Sequence, residues 1–264
     1  MIKLRFQLKN VATIVACFAV CMIFAGCGKN EMDNDFEIHD YRVQDILYPK
    51  DSKLKRVYHV FDDYKNFATE YLYDNLERIS RVNFALAHRY DIYHYNTKGQ
   101  LETISKYDEY LEDSPVLIDK VIYSYDTQGN KVKELNEFGF PYLGVQTWSN
   151  IYQYKDKKLA KKEYYEDDQL KYYIVYEYKG EILKKERFFV PESKDYGTIE
   201  HFYDQGLLVY STQYSNEDSK SALMHDMRYY DWNNNLIKLV QNFPALSSYS
   251  DATVFLVRWE YEYE

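Results

Sequence analysis

Side chains that could perform catalysis are abundant in this 264-residue chain, but they show no catalytic spacing. Its 42 acidic residues allow many carboxylate pairs of the kind used for glycoside hydrolysis, and nothing singles out one pair. The sequence has no Gly-x-Ser-x-Gly segment for a serine nucleophile. We therefore predict a non-enzyme, with an envelope hydrolase that uses an unidentified carboxylate pair as the alternative.

Residues that could bind a metal are also scattered. The six histidines form neither a His-Glu-x-x-His nor a His-x-His segment, and the acidic runs lack the spacing of a calcium loop. Three aspartates, Asp74, Asp126 and Asp204, follow aromatic segments, and an aspartate that opens a turn bonds its own backbone. We predict no metal site and no cofactor.

One cysteine does have a chemically meaningful position. A basic start is followed by the uncharged, mostly apolar stretch 11–26, which ends in Ala25-Gly26 directly before Cys27. This pattern resembles bacterial lipoprotein signal peptides. The resemblance implies cleavage before Cys27 and acylation of its sulfur and of the new amino terminus, and more than one acyl chain gives stable anchoring. The alternative is an ordinary secretory signal, or an uncleaved anchor, with a chance cysteine.

The predicted organisation has three parts. Residues 1–26 are the signal peptide, 27–52 carry the lipidated cysteine and an acidic flexible tether, and 53–264 form a single β domain. Removing 1–26 takes the formal net charge from −9 to −12 and leaves one cysteine, so we expect no internal disulfide. The negative charge argues against nucleic acid as a partner.

The expected location is the bacterial outer membrane, at its periplasmic face or at the cell surface, with the membrane bound through the acyl chains. The segment 28–37, GKNEMDNDFE, resembles the surface-export signals of Bacteroidota lipoproteins, and a plain solvated linker explains it equally well.

Tyrosine dominates the rest of the chain, which has 31 of them, and they recur two residues apart before a turn signal. Copies succeed one another at intervals of 22 to 30 residues, as in a repeat array with variable connections. The copies are Tyr71-Leu-Tyr73, Tyr93-His-Tyr95, Tyr123-Ser-Tyr125, Tyr152-Gln-Tyr154, Tyr176-Glu-Tyr178, His201-Phe-Tyr203 and Tyr230-Asp-Trp232, with Trp259-Glu-Tyr261-Glu-Tyr263 closing the chain.

Each copy predicts a β-hairpin. Asp126 and Gly129 fit a type I turn followed by a left-handed residue, and Asn96 and Gly99 repeat this chemistry. The segment from Asp204 to Gly206, like 178–181 and 233–236, predicts a shorter turn. Because residues two apart lie on the same face of a strand, each aromatic pair should line one side of a sheet.

The segment Tyr-x-Tyr-Asp-x-x-Gly resembles the YD repeat of Rhs-type and teneurin proteins and of uncharacterised Bacteroidota lipoproteins. The resemblance covers most of 55–264 and implies the hairpin architecture. Together with the missing helical periodicity, it predicts an all-β fold, an antiparallel meander of tyrosine-rich β-hairpin repeats forming a curved open sheet or a partly rolled barrel.

In such a meander the tight turns gather at one end and the returning connections at the other. We predict long, aromatic returns over 137–148, 188–196 and 242–249, where a glycan or an envelope protein could bind. The candidate ligand-binding residues are Phe140, Tyr142, Trp148, Phe188 and Tyr196. The alternative is that these aromatic residues fold back as a lid on the sheet. An immunity or adaptor protein with a larger partner is a further alternative.

Overall fold

The computed structural model describes residue 42 and residues 47–61, 64–109, 114–140, 144–191, 193, 197–215, 222–243 and 256–264, without the side chains of Phe61, Phe140 and Leu256. The predicted signal peptide, Cys27 and most of the tether lie outside these residues. Among the described residues, no helix is long and apolar enough to cross a membrane.

The described chain forms sixteen antiparallel strands and one short 3-10 helix, Ala85–Ala87. The strands are β1 (Leu54–Phe61), β2 (Tyr64–Tyr73), β3 (Ile79–Phe84), β4 (Arg89–Tyr95), β5 (Leu101–Asp108), β6 (Val116–Tyr125), β7 (Lys131–Phe140), β8 (Gly144–Lys155), β9 (Lys158–Glu166), β10 (Gln169–Lys179), β11 (Ile182–Phe189), β12 (Gly197–Asp204), β13 (Leu207–Tyr214), β14 (Ala222–Tyr230), β15 (Leu236–Asn242) and β16 (Leu256–Tyr263).

Each strand pairs with the next along the chain, and β16 pairs with β1, so the sheet is a closed barrel. The all-β antiparallel meander is confirmed, while the open-sheet alternative is wrong. Closure pairs both edge strands, which removes the exposed backbone groups of an open sheet.

The strands repeat in pairs with one shared irregularity. Each pair consists of an even-numbered strand and the odd-numbered strand that follows it. A tyrosine near the end of the even-numbered strand faces a residue at the start of the odd-numbered one, as Tyr95 faces Leu101, and the next residue of the odd-numbered strand has no partner in the pairing, which makes it a β-bulge. The bulged residues are Lys55, Ser80, Glu102, Val132, Ala160, Lys184, Val209 and Ile237. Bulges increase local twist, so eight equivalent bulges help to curve the sheet into a barrel.

The closing pair of β16 and β1 has this same register although no turn joins it. Tyr263 faces Leu54 and Lys55 is skipped, as in the seven hairpins that carry a turn. Beyond them, Lys53 and Glu264 exchange backbone hydrogen bonds of 3.1 and 2.9 Å. The barrel is therefore closed by an eighth strand pair of the same kind, in which the first and last strands of the domain pair without a connecting turn.

The turn at Asp126 has the predicted chemistry. Its Oδ1 accepts hydrogen bonds from the backbone N–H groups of Gln128 and Asn130, at 2.9 and 2.8 Å, and Gly129 has φ of 88°. Asn96 bonds its turn in the same way, and there Gly99 has φ of 78°.

The seventh repeat is shifted by two residues from the predicted position. Asp231, not a residue after Trp232, opens this turn, since its Oδ1 accepts from the N–H groups of Asn233 and Asn235. Asn234, with φ of 71°, replaces the glycine, and the aromatic pair is reduced to Tyr230 with Arg228 in the first position. Tyr230 and Trp232 have the spacing of the aromatic pair, but they lie two residues after the positions that the pair occupies in the other repeats.

Other turns also depart from the two full copies seen in the sequence. The turn that opens at Asp74 has the same bonding, with Glu77 at φ of 64° in the glycine position. Asp204 is instead the last residue of β12 and faces Leu207, across a two-residue turn in which Gln205 and Gly206 have φ of 48° and 84°.

The barrel wall has a tyrosine face and an opposite face. The residue between two paired tyrosines points away from them, and Leu72, His94, Ser124, Gln153 and Phe202 are all exposed at this position. The tyrosines themselves are partly buried, and tyrosines of successive even strands lie close enough to interact electrostatically. The tyrosine face is therefore the inner wall.

The outer wall is charged. Cross-strand ion pairs on it include Arg56–Glu70 at 3.3 Å, Lys65–Glu260 at 3.1 Å and Lys185–Glu200 at 2.9 Å. A barrel wall that faces lipid instead carries an apolar band, because a lysine or arginine at the bilayer midplane costs about 2–4 kcal/mol. The outer wall of this barrel is suited to water.

Candidate ligand-binding inner wall

Two rings of side chains line the inner wall. The rim ring is nearer the tight turns and consists of Tyr73, Tyr95, Tyr125, Tyr154, Tyr178, Tyr203, Tyr230 and Tyr263. The middle ring lies two residues further in and consists of Tyr71, Tyr93, Tyr123, Tyr152, Tyr176, His201, Arg228 and Tyr261. Closed barrels of sixteen strands are too wide for side chains to fill, so these rings surround a lumen.

The rim ring holds the barrel together. The hydroxyl of Tyr125 donates to the backbone carbonyl of Leu101 on the preceding strand at 2.7 Å. Five further rim tyrosines make the equivalent bond, at 2.6 to 3.0 Å, namely Tyr73, Tyr95, Tyr154, Tyr230 and Tyr263. These hydroxyls are committed to the wall, so the rim ring is structural.

The middle ring keeps its tyrosine hydroxyls protonated. Burial raises the pKa of Tyr93 to about 12 and raises the pKa values of Tyr71 and Tyr261. The pKa of Tyr152 is raised by burial and then by the charge of Glu134, to which its hydroxyl donates at 2.9 Å. The middle ring therefore presents neutral hydroxyl groups next to a carboxylate.

Below the middle ring on β6 to β8 lies a group of hydrogen-bond acceptors. Asn136 donates its amide to Asp119, and Asn150 donates to Glu134, each at 3.3 Å. Because each amide donates through Nδ2, its Oδ1 is directed away from the carboxylate. Asp119 Oδ1, Asn136 Oδ1 and Asn150 Oδ1 are buried and have no hydrogen-bond partner among the described residues, which is unusual for buried polar atoms.

A carboxylate pair flanks Lys106 on the same part of the wall. Lys106 forms an ion pair of 2.8 Å with Asp119, while Asp91 faces Lys106 from the other side. Burial raises the pKa of Asp91 to about 6, Lys106 opposes this rise, and the charge of Asp119 adds to it. Asp91 therefore holds its proton to a higher pH than an ordinary aspartate does.

The opposite part of the wall carries a chain of hydrogen bonds. His201 bonds Glu186 through Nε2 at 2.9 Å and the hydroxyl of Ser211 through Nδ1 at 3.1 Å. Arg228 donates to the same hydroxyl at 3.1 Å and to Asp226 at 3.3 Å. The order Glu–His–Ser resembles a catalytic triad, but Ser211 is only 5% exposed and bonds two side chains. The chain of bonds is suited to holding the wall together.

Three aromatic rings form a ladder on the inner wall of β8, β9 and β10. The rings of Trp148 and Tyr164 lie 5.8 Å apart, and those of Tyr164 and Tyr172 are stacked at 4.8 Å. Trp148 also faces Asn136 across the β7–β8 pairing, so the ladder adjoins the buried acceptor oxygens. We call these three side chains the aromatic ladder.

Two of the predicted ligand-binding residues, Trp148 and Phe188, are strand residues on the inner wall, in β8 and β11. Phe140 ends β7, and Tyr142 and Tyr196 lie outside the described residues. The long return predicted over 137–148 is therefore wrong in extent, because β7 and β8 leave only 141–143 between them. The return predicted over 188–196 is shorter by two residues, because β11 ends at Phe189 and β12 begins at Gly197. The predicted return over 242–249 falls almost entirely outside the described residues.

The sequence contained a usable signal for Trp148. It lies four residues before Tyr152, in phase with the pair at 152 and 154, so strand alternation places it on the same face. Tyr172 has the same relation to Tyr176. The buried acceptors could not be found in this way, since Asn136 and Asn150 become neighbours only through strand pairing.

No family model matches the chain. No curated protein matches it either. Among solved structures, it is similar to a porin-like protein from Bacteroides uniformis ATCC 8492 at 10% identity, over 83% of this chain and 100% of that one, with a TM-score of 0.39. A porin-like protein from Bacteroides vulgatus ATCC 8482 is 10% identical over 81% and 99% of the two chains, with a TM-score of 0.37.

A structure described as TcdB2-TccC3 without its hypervariable C-terminal region is 10% identical and is matched over 68% of this chain but 12% of that chain, at a TM-score of 0.26. These likenesses are too weak to say what the protein does. The functional argument therefore rests on the residues of this chain, and the YD repeat remains a resemblance.

Proposed function

We propose that the protein is a non-catalytic, lipid-anchored protein of the bacterial outer envelope that binds a glycan on its inner wall. The observation that carries the proposal is the aromatic ladder beside buried acceptor oxygens and protonated tyrosine hydroxyls. Binding sites for small ligands combine such aromatic surfaces with a few placed polar groups.

The chemistry of the inner wall suits a hydroxyl-rich ligand. The flat faces of Trp148 and Tyr172 can pack against the C–H faces of sugar rings, since aromatic side chains supply large rigid contact areas. Sugar hydroxyls can donate to carboxylate and amide oxygens and accept from the tyrosines. Carboxylates such as Glu134 and Asp119 on the same wall disfavour an anionic ligand.

The charged outer wall supports the proposal that a lipid anchor attaches the protein to the membrane. A wall with ion pairs such as Lys65–Glu260 does not favour insertion into hydrocarbon. Acyl chains on Cys27 would attach the barrel while leaving it in water. Replacing Cys27 by Ala should abolish labelling by a radioactive fatty acid and release the protein from membranes or leave it uncleaved. Unchanged labelling would refute the anchor.

Glycan binding is tested with the full chain against a panel of bacterial and host polysaccharides. We expect Trp148→Ala and Tyr164→Ala to weaken binding about tenfold or more, because each removes a ring of the ladder. Phe202→Ala, on the exposed outer wall, is the matched control and should bind like the parent. Glycan binding is refuted if the parent binds none of the panel, or if the control loses as much affinity as the ladder variants.

A second candidate function, glycoside hydrolysis, is favoured by one observation, the two carboxyl groups of Asp91 and Asp119 on either side of Lys106, of which Asp91 has a raised pKa. A protonated Asp91 could give its proton to the leaving glycosidic oxygen while the carboxylate of Asp119, which forms an ion pair with Lys106, takes one from the attacking water. Release of reducing ends by the parent, abolished in Asp91→Asn and retained in Asp204→Asn, would support this candidate. A parent that binds a polysaccharide and releases no reducing ends would eliminate it.

A further inference from the structure

The chain that precedes β1 is fastened to the turn end of the barrel. We call Arg42 and residues 47–53 the strap. The backbone N–H of Tyr48 donates to Asp231 Oδ2 at 2.9 Å, and Asn233 donates its amide to the carbonyl of Tyr48 at 2.7 Å. The ring of Tyr48 lies 5.2 Å from that of Tyr263, and Arg42 donates to the backbone carbonyl of Asp231.

These contacts explain why the turn at Asp231 is the most buried of its kind. Asp231 is 0% exposed and receives bonds from its own turn and from the strap. Its pKa is lowered although burial alone would raise it, because Asn235 and the backbone N–H groups of Tyr48, Asn235 and Asn233 bond the carboxylate. The strap therefore has a specific seat at the turn end.

Three large apolar side chains are exposed around this seat. Leu47 is 62% exposed, Trp232 is 60% exposed, and Leu76 is 70% exposed. They belong to three successive parts of the turn end, which are the β14–β15 turn, the strap, and the β2–β3 turn. Lys53 of the strap joins the last two through an ion pair of 3.0 Å with Glu77. We call this surface the strap sector.

The composition of the strap sector fits the headgroup region of a lipid layer. Tryptophan is enriched at membrane interfaces, where its ring meets acyl chains and its N–H meets water, and leucine adds apolar contact. Exposed apolar patches on a charged protein mark interaction sites. In addition, the chain from the strap leads towards Cys27, fifteen residues before Arg42 and so within about 50 Å of it when fully extended.

We propose that the strap sector rests on the lipid headgroups, so that the tight turns face the membrane and the opposite end of the barrel faces away. This inference depends on the proposed lipid anchor at Cys27. The tether alone is long enough to allow several orientations, and the strap favours one of them, because it fastens the chain that comes from Cys27 to the turn end, where Leu47 and Trp232 are exposed. A ligand of the inner wall then enters from the end that carries the β5–β6 and β15–β16 connections.

Tryptophan fluorescence tests the orientation, because the three tryptophans lie in different places. Full-length lipidated protein is reconstituted into phosphatidylcholine vesicles with and without brominated acyl chains. A Trp148→Phe/Trp259→Phe variant retains Trp232, whose emission should shift to the blue and be quenched by the brominated lipid. The matched Trp232→Phe/Trp259→Phe variant retains Trp148 on the inner wall and should not be quenched. Equal quenching of the two, or quenching of Trp148 alone, would overturn the orientation.

A second measurement avoids the tryptophan substitutions. Lipidation occupies Cys27, so a single introduced cysteine is the one thiol of the mature chain. A fluorophore on Gln128→Cys, at the turn end, should transfer energy to labelled headgroups more efficiently than one on Asp168→Cys, at the other end. Failure to sediment with vesicles at all would refute the anchor, whereas sedimentation with reversed or equal transfer would refute only the orientation.

Discussion

At the scale of single residues, tyrosine has two roles that differ only by position within each pair. The second tyrosine of a pair, such as Tyr125, donates its hydroxyl to the backbone of the preceding strand. The first, such as Tyr123, belongs to the middle ring, where burial and the charge of Glu134 raise its pKa. The same side chain therefore fastens the wall at one level and lines the lumen at the next.

Removal of a rim hydroxyl should weaken the barrel. Tyr125→Phe leaves the carbonyl of Leu101 without this donor, and the loss of one such bond costs about 1 kcal/mol. Chemical unfolding followed by circular dichroism measures the change. Tyr64→Phe, at a site that is 76% exposed, is the control and should unfold like the parent. Equal effects in the two variants would contradict the structural role of the rim ring.

The shifted titration of Asp91 predicts a pH-dependent stability. Burial, opposed by Lys106 and aided by Asp119, raises its pKa from the ordinary 3.8 to about 6 in the folded protein. The protonated form is favoured by folding, so its contribution is complete below pH about 4 and is lost as the pH rises through about 6. Asp91→Asn is neutral throughout and should be more stable than the parent at pH 8 by about 1–3 kcal/mol, and similar to it at pH 4.

Asp126→Asn provides the opposite case. Bonds from Asn130 and from the turn backbone lower the pKa of Asp126, so its contribution is present at neutral pH and is lost in acid. This variant should be less stable than the parent at pH 7 and should approach it at low pH. Urea unfolding of both variants from about pH 2 to pH 8 measures the two trends, with the Asp126→Asn difference changing below about pH 4 and the Asp91→Asn difference changing above it, and a parallel response would contradict the assignments.

At the scale of elements, the five-residue turns demand one left-handed residue each. Gly129 meets this demand without strain, while Glu77 meets it at φ of 64° with a side chain that prefers other conformations. Asn234 is intermediate, because asparagine tolerates the left-handed region better than most residues. Equivalent turns thus differ in local strain although their hydrogen bonds are the same.

Glycine at position 77 should therefore stabilise the barrel. We expect Glu77→Gly to raise the free energy of unfolding by about 0.5–1 kcal/mol, because relief of the backbone strain at positive φ outweighs the loss of the exposed ion pair with Lys53. Gly129→Ala should lower it by about 1 kcal/mol for the reverse reason. Thermal unfolding of both variants measures the pair, and a destabilised Glu77→Gly would show that the ion pair matters more than the strain.

At the scale of the whole molecule, the closing pair is equivalent to the internal hairpins. Tyr263 and Leu54 correspond to Tyr125 and Lys131, which the five residues 126–130 connect. A circular permutant that joins Tyr263 to Leu54 through Asp-Thr-Gln-Gly-Asn, and begins at Gly206, should keep the far-ultraviolet circular dichroism of the parent. A permutant with a two-residue linker should unfold at lower temperature, since the described hairpins form the bulged register with at least four connecting residues. Equal stability of the two would contradict the equivalence.

Much of the fold could be predicted because the information is local. The aromatic pairs, the turn residues Asp126 and Gly129, and the alternation of the strands are all contained within a few neighbouring residues. For the same reason the seventh repeat was misplaced, since Tyr230 and Trp232 satisfy the local spacing while the hydrogen bonds of Asp231 decide the register. Trp148 was assigned to a loop although its phase with Tyr152 indicated a strand.

By itself the sequence determined the strand type and the common face of the tyrosines, because each depends on spacing along the chain, while the export signal over 1–26 stays a prediction. Only the tertiary structure decided that the sheet closes, since closure depends on the register between β1 and β16, which are far apart in sequence. The same holds for the buried oxygens of Asn136 and Asn150 and for the seat of the strap at Asp231. Such features form where two strands pair, and the pairing depends on segments that are separate in the sequence.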